Sequence, residues 1–170
     1  MKHPRRVVLD SNALISGLSL PGSIPALALR RVVSACQLLV SAAVMGELAE
    51  VLAHAKFDRY ISIEDRQEFL RMVGRIGEMV PITFTVRACR DPKDDKFLEL
   101  ALNGSADLII SRDKDLLALS PFRHIPILTP AAFLKEEWPI EASGDRQSPI
   151  ANRKSQMLCT TTTSTPRWKN

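Results

Sequence analysis

The sequence contains few aromatic residues and few cysteines, and this scarcity excludes several classes of protein. Only 5% of its 170 residues are aromatic, fewer than a stacking surface for single-stranded nucleic acid would need. The three cysteines, Cys36, Cys89 and Cys159, are far apart and form no CxxC pair or Cys/His cluster. A zinc site and a disulfide framework are therefore not expected, and this cysteine usage indicates a reduced, cytoplasmic protein.

Glycine-rich loops, catalytic histidine arrangements and long apolar runs are also missing. The seven glycines form neither GxGxxG nor GxxxxGK[ST], so a nucleotide-binding loop is not expected. The histidines are scattered, without a Ser/His/Asp or Cys/His pattern. The most apolar stretch, residues 36–53, contains Glu47 and Glu50, and the apolar run after the basic N-terminus stops at Asp10. We expect neither a membrane span nor a targeting signal.

The net charge of +4 is concentrated at the C-terminal end of the chain. Residues 141–170 contain five basic and two acidic side chains, which leaves 18 basic and 17 acidic side chains in the first 140 residues. The main part of the protein is thus nearly neutral, and the basic pI of 9.2 is weak evidence for nucleic-acid binding. Residues 141–170 are rich in Ser, Thr, Arg and Lys, including four consecutive threonines. They are predicted to be a disordered tail after a folded domain of residues 1–140.

Short apolar runs alternate with amphipathic segments along the first 140 residues. Strands are predicted at 6–9, 38–40, 81–86, 108–110 and 125–128. Helices are predicted at 23–35, 41–54, 62–78, 94–104 and 129–138, with a short helix opening at Asp113. This alternation predicts an α/β fold with a mainly parallel sheet, in which ligands bind beyond the carboxyl ends of the strands.

Acidic residues stand where such a ligand would bind. Asp10 directly follows the first strand, and because no helix is expected immediately after it, it has no capping role in this prediction. Asp113 stands three residues past the strand at 108–110, and Glu47 lies on the helix after the second strand. A further cluster, Asp91, Asp94 and Asp95, crowds the start of one helix.

Two explanations for these carboxylates remain open. Asp at a helix start is a good cap, and a helical Glu commonly faces solvent. If the carboxylates converge, they repel one another and raise one another's pKa, and a hard divalent cation removes that repulsion. Mg²⁺ and Mn²⁺ prefer oxygen ligands, and they activate water for attack on phosphate.

Five segments of the chain resemble, in order and spacing, the motifs of PIN-domain nucleases. They are 8–16 (VLDSNALIS), 46–52 (GELAEVL), 90–101 (RDPKDDKFLELA), 107–117 (DLIISRDKDLL) and 127–134 (ILTPAAFL). The last segment is similar to the ending of a prokaryotic, VapC-like subgroup described as toxins of toxin–antitoxin systems. The resemblance covers about residues 5–137, and it departs mildly from the family pattern at Ser11 and Ser111, which replace the commoner threonine.

The resemblance implies a Rossmann-like α/β/α sandwich and a Mg²⁺- or Mn²⁺-dependent endoribonuclease. Asp10, Glu47, Asp95 and Asp113 match the acidic quartet. In that match Asp10 and Asp95 hold the metal, Asp113 completes its shell and Glu47 orients water. Supporting hydrogen bonds are expected from Ser11, Asn12 and Ser111, and Asp115 is a plausible fifth acid; Asp91 and Asp94 are weaker candidates than Asp95.

Partners follow from the same resemblance: an RNA substrate, a cognate antitoxin protein and a second copy of the chain. Basic residues that flank the acids could bind RNA phosphates, namely Arg87, Arg90, Lys93, Lys96, Arg112 and Lys114. Two rival functions remain. A haloacid-dehalogenase-type Mg²⁺ phosphohydrolase would need a second Asp at position 12, which is Asn12. An inactive PIN-like module that binds RNA or protein is the other.

Overall fold

A five-stranded parallel sheet forms the centre of the molecule in the computed structural model, which describes residues 4–136. The strands are β1 Arg5–Leu9, β2 Cys36–Val40, β3 Glu78–Met79, β4 Leu108–Ile110 and β5 Ile127–Leu128, in the spatial order β3-β2-β1-β4-β5. Every neighbouring pair is parallel. The direction of winding reverses between β1 and β4, so a crevice for a ligand lies beyond the carboxyl ends of these two strands.

Helices flank the sheet and connect its strands. They are α1 Ser11–Ser19, α2 Ile24–Ala35, α3 Ala42–Leu52, α4 Ile63–Ile76, α5 Asp95–Asn103, α6 Lys114–Ala118 and α7 Pro130–Lys135. The residues of β4 and the last three of β1 are all buried, as expected for parallel strands covered on both faces. The predicted α/β sandwich with a parallel central sheet is confirmed.

Hydroxyl side chains begin most of the predicted helices. Each accepts a hydrogen bond from the backbone N–H three residues later: Ser23 from Ala26, Ser41 from Val44, Ser62 from Asp65 and Thr129 from Ala132. Such N-caps satisfy N–H groups that have no partner inside the helix, which is why these starts could be predicted. The predicted end of the last helix, at Trp138, lies outside the described residues, as do the domain boundary at 140 and the predicted tail.

Helix α1 was not expected, and its presence corrects the prediction for Asp10. This residue is the N-cap of α1, and its carboxylate accepts the backbone N–H of Ala13. Asp is a favoured N-cap, and the apolar run Ala13–Ile15 supplies the buried face of the helix. The capping pattern was therefore present in the sequence, and the prediction that no helix follows Asp10 was wrong.

The strand predicted at 81–86 does not form, and the strand that joins the sheet edge is β3, earlier in the chain. Pairing with β2 ends where the N–H of Val80 donates to the carbonyl of Val40. Pro81 follows and has no N–H to continue the ladder. The alternating residues 81–86 are extended instead along α5, with Val86 buried in the core.

Helices α1 and α2 form a bent pair beside the sheet. No single helix within residues 4–136 is long and apolar enough to cross a membrane, and this pair reaches the length and hydropathy only jointly, with a bend of 106°. Residues Ala13–Ile15 and Leu29 are buried in the interior, as expected for core helices of an α/β domain. Gly22 permits the turn between the two helices, since its φ is +83°.

Candidate active site

Four carboxylates from four parts of the chain line one small cavity at the carboxyl ends of β1 and β4. We call it the acid cavity. Its volume is about 50 Å³, and its lining consists of Asp10, Ser11, Asn12, Glu47, Val51, Asp94, Phe97, Asp113 and Leu116. The cavity lies at the point where the strand order reverses, the position expected for a ligand site in this fold.

Asp10 is the buried centre of the cavity wall. One carboxylate oxygen accepts the N–H of Ala13, and the other accepts the hydroxyl of Ser111 and, at 3.0 Å, the N–H of Arg112. Burial raises the pKa of Asp10 above its ordinary value against the effect of these donors, and the negative charge of Asp113 raises it further. Asp10 therefore lies in a position where a cation would stabilise its charged form.

Asp113 combines a capping role with a place in the cavity. Its Oδ1 accepts the N–H groups of Asp115 and Leu116 at 2.7 and 3.2 Å, which caps α6. Its own N–H donates to the hydroxyl oxygen of Ser111 at 2.9 Å. Ser111 thus joins the backbone of Asp113 to the carboxylate of Asp10, and the two acids are held at one edge of the sheet.

Glu47 faces the acid cavity, held by two donors. The hydroxyl of Ser11 donates to Oε2, and the ammonium of Lys96 donates to Oε1 at 2.8 Å. The Lys96 side chain is 15% exposed and also donates to the carbonyl of Lys93. Lys96 was predicted to bind RNA, but in this structure its ammonium is paired with Glu47.

The structure places Asp94 and Asp95 in different surroundings. Asp94 lines the acid cavity, whereas Asp95 lines a separate cavity on another side of the start of α5. Neighbouring helical residues point about 100° apart, so only one of the two can face the cavity. The 3₁₀ turn Pro92–Asp94 sets where α5 begins, and this decides that Asp94 faces inward. The catalytic role that the resemblance gave to Asp95 stays untested, but its position does not match it.

The environments of these two neighbours shift their pKa values in opposite directions. Burial, with the negative charges of Asp113 and Asp91, raises the pKa of Asp94. Burial also acts to raise the pKa of Asp95, but the N–H groups of Ala88 and Cys89 donate to its carboxylate and lower the pKa overall. The Cys89 thiol also donates to Asp95, and burial together with this carboxylate raises the pKa of the thiol to about 12.

The remaining predicted residues divide between the cavity and its surroundings. Asn12 is exposed and lines the acid cavity, and Ser11 and Ser111 hold the carboxylates as expected from hydroxyl donors. Asp91 is exposed and accepts the N–H of Lys93, while Asp115 is exposed and outside the cavity lining.

The predicted RNA-binding residues other than Lys96 lie on the surface, in the segments that carry Asp94 and Asp113. Four of them are exposed, namely Arg90, Lys93, Arg112 and Lys114. The Arg112 guanidinium donates to the hydroxyl of Ser16 at 3.1 Å, so it is held against α1. Arg87 is exposed and lines the second, larger cavity of about 590 Å³ together with Asp95 and Glu99.

The donor set of the acid cavity suits a hard divalent cation. Among the described residues, its polar lining consists of oxygen-bearing side chains and contains no His or Cys. Asp94 accepts no side-chain hydrogen bond from the described residues, and Asp113 keeps Oδ2 without a donor there, so both retain oxygens for a ligand. As the side chains stand, no three Asp, Glu, His or Cys residues within 4–136 are arranged to hold one metal ion. The chemistry fits, and side-chain rotation would have to complete the site.

Known proteins share both the sequence pattern and the fold. The family model of the PIN domain matches residues 6–115, a range that contains all four carboxylates of the acid cavity. An uncharacterized protein of Methanocaldococcus jannaschii, MJ1680, is 27% identical, and the match covers 77% of this chain and 90% of that protein. The solved structure of VapBC2 from Rickettsia felis, bound to a DNA fragment from its promoter, matches with a TM-score of 0.50 at 10% identity. That match covers 72% of this chain and 96% of that one, and at this identity it supports the fold alone.

Proposed function

The chain belongs to the PIN-domain family, and from this premise we propose that it is a Mg²⁺- or Mn²⁺-dependent endoribonuclease, the toxin of a toxin–antitoxin pair. PIN domains are generally nucleases that use divalent metals. One observation carries the proposal for this chain. Carboxylates from the end of β1, from α3, from the turn before α5 and from the loop after β4 line one cavity at the ligand-binding edge of the sheet.

In this proposal Asp10, Asp94 and Asp113 hold the cation. A bound cation would neutralise their mutual repulsion and make water a stronger nucleophile toward a phosphodiester. The protein supplies the orientation: the hydroxyl of Ser111 and the N–H of Arg112 fix Asp10, and the cap of α6 fixes Asp113. Because these hydrogen bonds already restrain Asp10 and Asp113, those two side chains would lose little further freedom on binding a cation. Side-chain rotation would still have to bring the ligands together around it.

Glu47 is the residue proposed to orient the attacking water and accept its proton. It faces the acid cavity, and the hydroxyl of Ser11 holds Oε2. Lys96 neutralises Glu47 in the metal-free protein, because its ammonium lies 2.8 Å from Oε1. If Glu47 instead bound the attacking water beside a cation, the ion pair would open. The ammonium of Lys96 would then be available to a phosphate oxygen.

The exposed basic residues around the cavity are the proposed contacts to RNA phosphates. Arg90, Lys93, Arg112 and Lys114 are exposed on the segments that carry Asp94 and Asp113. Phosphate contacts of this kind are independent of base sequence and weaken as salt increases. We therefore expect RNA affinity to fall steeply between low and moderate salt.

The proposed biological role is growth inhibition by RNA cleavage in the cytoplasm, held in check by an antitoxin protein. The solved VapBC2 structure is a complex bound to promoter DNA, which supports an antitoxin partner for a chain of this fold. The resemblance also favours a homodimer.

Induced expression of the chain alone should arrest growth of a bacterial host, whereas expression of Asp10→Asn at the same level should not. Arrest by both proteins would contradict the toxin role as a consequence of cleavage.

The test of the enzyme is cleavage of a labelled single-stranded RNA by the purified full chain. We expect cleavage with Mn²⁺ or Mg²⁺ and none with chelator. Glu47→Gln and Asp113→Asn should each abolish most of it. Their matched controls are Glu50→Gln, an exposed glutamate on the same helix, and Asp115→Asn, an exposed aspartate outside the cavity lining. Both controls should retain activity.

Other outcomes separate the rival functions. Hydrolysis of a phosphate monoester without RNA cleavage would favour the phosphohydrolase. Folded protein that binds RNA but cleaves no phosphodiester at millimolar Mn²⁺ would favour the inactive binding module. Equal activity of Glu47→Gln, Asp113→Asn and the parent chain would overturn the assignment and indicate a contaminating nuclease.

A further inference from the structure

Three polar side chains on α5 hold an extended segment of the chain by its backbone. Asp95, Glu99 and Asn103 are spaced by four residues, so they lie along one face of the helix. We call these three side chains the clasp. We call residues 83–89 the strap; it overlaps the strand predicted at 81–86 and pairs with none of the strands within residues 4–136.

The clasp replaces the hydrogen bonds that a neighbouring strand would supply. At the C-terminal end of α5, the amide oxygen of Asn103 accepts the N–H of Thr83 at 2.9 Å, and its NH₂ group donates to the carbonyl of Phe84. In the middle, a carboxylate oxygen of Glu99 accepts the N–H of Val86 at 3.0 Å. Val86 is buried, so its N–H needs such a partner, whereas Thr83 and Phe84 are exposed. The clasp thus supplies hydrogen bonds to the strap at three points along α5.

Asp95 forms the end of the clasp that lies nearest the acid cavity. Its Oδ1 accepts the N–H groups of Ala88 and Cys89 at 3.0 and 2.8 Å. These bonds close a short loop that runs from Ala88 through the turn Pro92–Asp94 and back to Asp95. Asp94 is the last residue of that turn. The bonds to Asp95 therefore restrain the backbone of the loop that carries Asp94.

We propose that Asp95 is a positioning residue, which closes this loop and thereby holds the carboxylate of Asp94 in the acid cavity. The inference rests on the proposed function, since it takes Asp94 as one of the acids that bind the cation. Asp95 is buried, and the cavity that it lines is separate from the acid cavity. Its carboxylate acts here as a hydrogen-bond acceptor, and its charge is not required at the reaction.

Two substitutions of Asp95 separate the role of its carboxylate as a hydrogen-bond acceptor from the role of its negative charge. Asp95→Asn keeps an oxygen that can accept both N–H groups, whereas Asp95→Ala removes it. We expect Asp95→Asn to keep kcat for RNA within about threefold of the parent chain, and Asp95→Ala to lose about tenfold or more, because a small displacement of a catalytic group is costly. The KM for RNA should change little in either variant. The Mn²⁺ concentration for half-maximal activity should rise in Asp95→Ala and stay close to the parent value in Asp95→Asn.

Two readouts are independent of activity. Hydrogen exchange in chelator should show the amides of Ala88 and Cys89 protected in the parent chain and in Asp95→Asn, and exposed in Asp95→Ala. Thermal melts should show a smaller Mn²⁺-induced stabilisation for Asp95→Ala. Asn103→Ala, at the far end of the clasp, is the matched control: it should expose the amide of Thr83 yet leave the Mn²⁺ dependence of cleavage nearly unchanged.

The outcomes distinguish this inference from the proposed function. If Asp95→Asn and Asp95→Ala lose activity equally, the charge of Asp95 is required and the positioning role is wrong. If the parent chain cleaves RNA and Asp95→Ala does so with unchanged kcat and Mn²⁺ dependence, the positioning role alone is wrong. If the parent chain neither cleaves RNA nor gains stability from Mn²⁺, the proposed function is wrong and the positioning role falls with it.

Discussion

The acid cavity and the clasp lie on two sides of the start of α5. Each uses an aspartate side chain, but the two aspartates have opposite roles. In the cavity, Asp94 faces other carboxylates and accepts no side-chain hydrogen bond from the described residues. In the clasp, the adjacent Asp95 accepts two backbone N–H groups and a thiol. Burial and like charge make the ionised form of Asp94 unfavourable, whereas the donors around Asp95 stabilise its ionised form.

This difference distinguishes a residue prepared for a ligand from a residue that completes the fold. A carboxylate whose oxygens lack donors and face other negative charges can gain free energy from a bound cation. Asp95 differs from Asp94 in that a cation on its Oδ1 would compete with the N–H groups of Ala88 and Cys89. Asp10 combines both situations, since it accepts hydrogen bonds from backbone N–H groups and also lines the acid cavity. Crowded acids in a sequence such as RDPKDD are therefore not equivalent, and their hydrogen-bond partners separate them.

The largest expected effect is on catalysis by the two neighbours. Asp94→Asn should lower kcat/KM for RNA by about 100-fold or more, because loss of a cation ligand removes several kcal/mol of transition-state stabilisation. Asp95→Asn, with the same change in charge one residue later, should stay within about threefold. Single-turnover cleavage of a labelled RNA measures both. Equal losses would remove the distinction between cavity and clasp.

The next largest effect is on stabilisation by metal. At a Mn²⁺ concentration near 100 times its dissociation constant, the parent chain should gain about 2.7 kcal/mol in free energy of unfolding. Asp94→Asn should lose most of this gain and Asp95→Asn should keep it. Thermal melts with Mn²⁺ and with chelator measure the difference. An absence of any metal-dependent shift in the parent chain would contradict a shared site.

A third comparison concerns stability without metal. Asp95→Ala removes the acceptor of the N–H groups of Ala88 and Cys89. Because these groups are only part-buried, the loss should cost about 0.5–1.5 kcal/mol in free energy of unfolding. Urea unfolding in chelator measures the loss, which should be the same with Mn²⁺ present once the metal contribution is subtracted. Asp94→Asn removes no side-chain hydrogen bond among residues 4–136 and should not destabilise the metal-free protein. A loss for Asp94→Asn as large as that for Asp95→Ala would be inconsistent with the structure.

The smallest effect is on the pH dependence of stability, and here the two neighbours should differ in sign. The pKa of Asp94 is raised in the folded protein above the ordinary aspartate value of 3.8. Above pH 3.8 the folded state therefore binds more protons than the unfolded state, and stability falls as the pH rises. Asp94 therefore costs stability at neutral pH. In chelator, Asp94→Asn should be more stable than the parent chain by no more than about 1 kcal/mol at pH 7, and this advantage should vanish below pH 3.8.

Asp95 should show the reverse. Its pKa is lowered in the folded protein, so its contribution to stability is present above its ordinary value of 3.8 and is lost as the pH falls through the folded value. Asp95→Asn should be slightly less stable than the parent chain at pH 7 and equal to it in stronger acid. Melts of both variants from pH 3 to pH 7 measure the two trends. Parallel curves for the two variants would show that their environments do not differ in the way described.

Much of the fold could be predicted because its signals are local. Ser23, Ser41 and Thr129 precede apolar helical patterns, and a short polar cap has the same effect in most folds. The residues of β4 read as a buried strand because they are apolar without alternation, which is typical of parallel sheets. Three of the four carboxylates that line the acid cavity, Asp10, Glu47 and Asp113, are ones that the family resemblance had named.

The errors arose where a local pattern competes with a distant partner. Residues 81–86 alternate like a strand, but side chains of α5 accept the backbone N–H groups of Thr83 and Val86 within that segment. This depends on how the chain returns to the helix. Asp94 and Asp95 could not be separated because a one-residue shift in the start of a helix rotates its faces by about 100°. The clasp had a visible signal, the four-residue spacing of Asp95, Glu99 and Asn103, but nothing in the sequence identifies the segment that it binds.

The sequence by itself determined the parallel α/β architecture, the helix starts and the residues that carry the family resemblance, because these depend on periodicity, capping and residue type within a few positions. Only the tertiary structure decided that Asp10 both caps α1 and joins the acid cavity, that Lys96 pairs with Glu47 rather than standing free, and that Asp94 and Asp95 face different cavities. Those facts depend on which groups meet across strands and helices far apart in the chain. In the folded protein it is the burial, charges and donors around a carboxylate that decide whether it is free for a ligand or already bound by the fold.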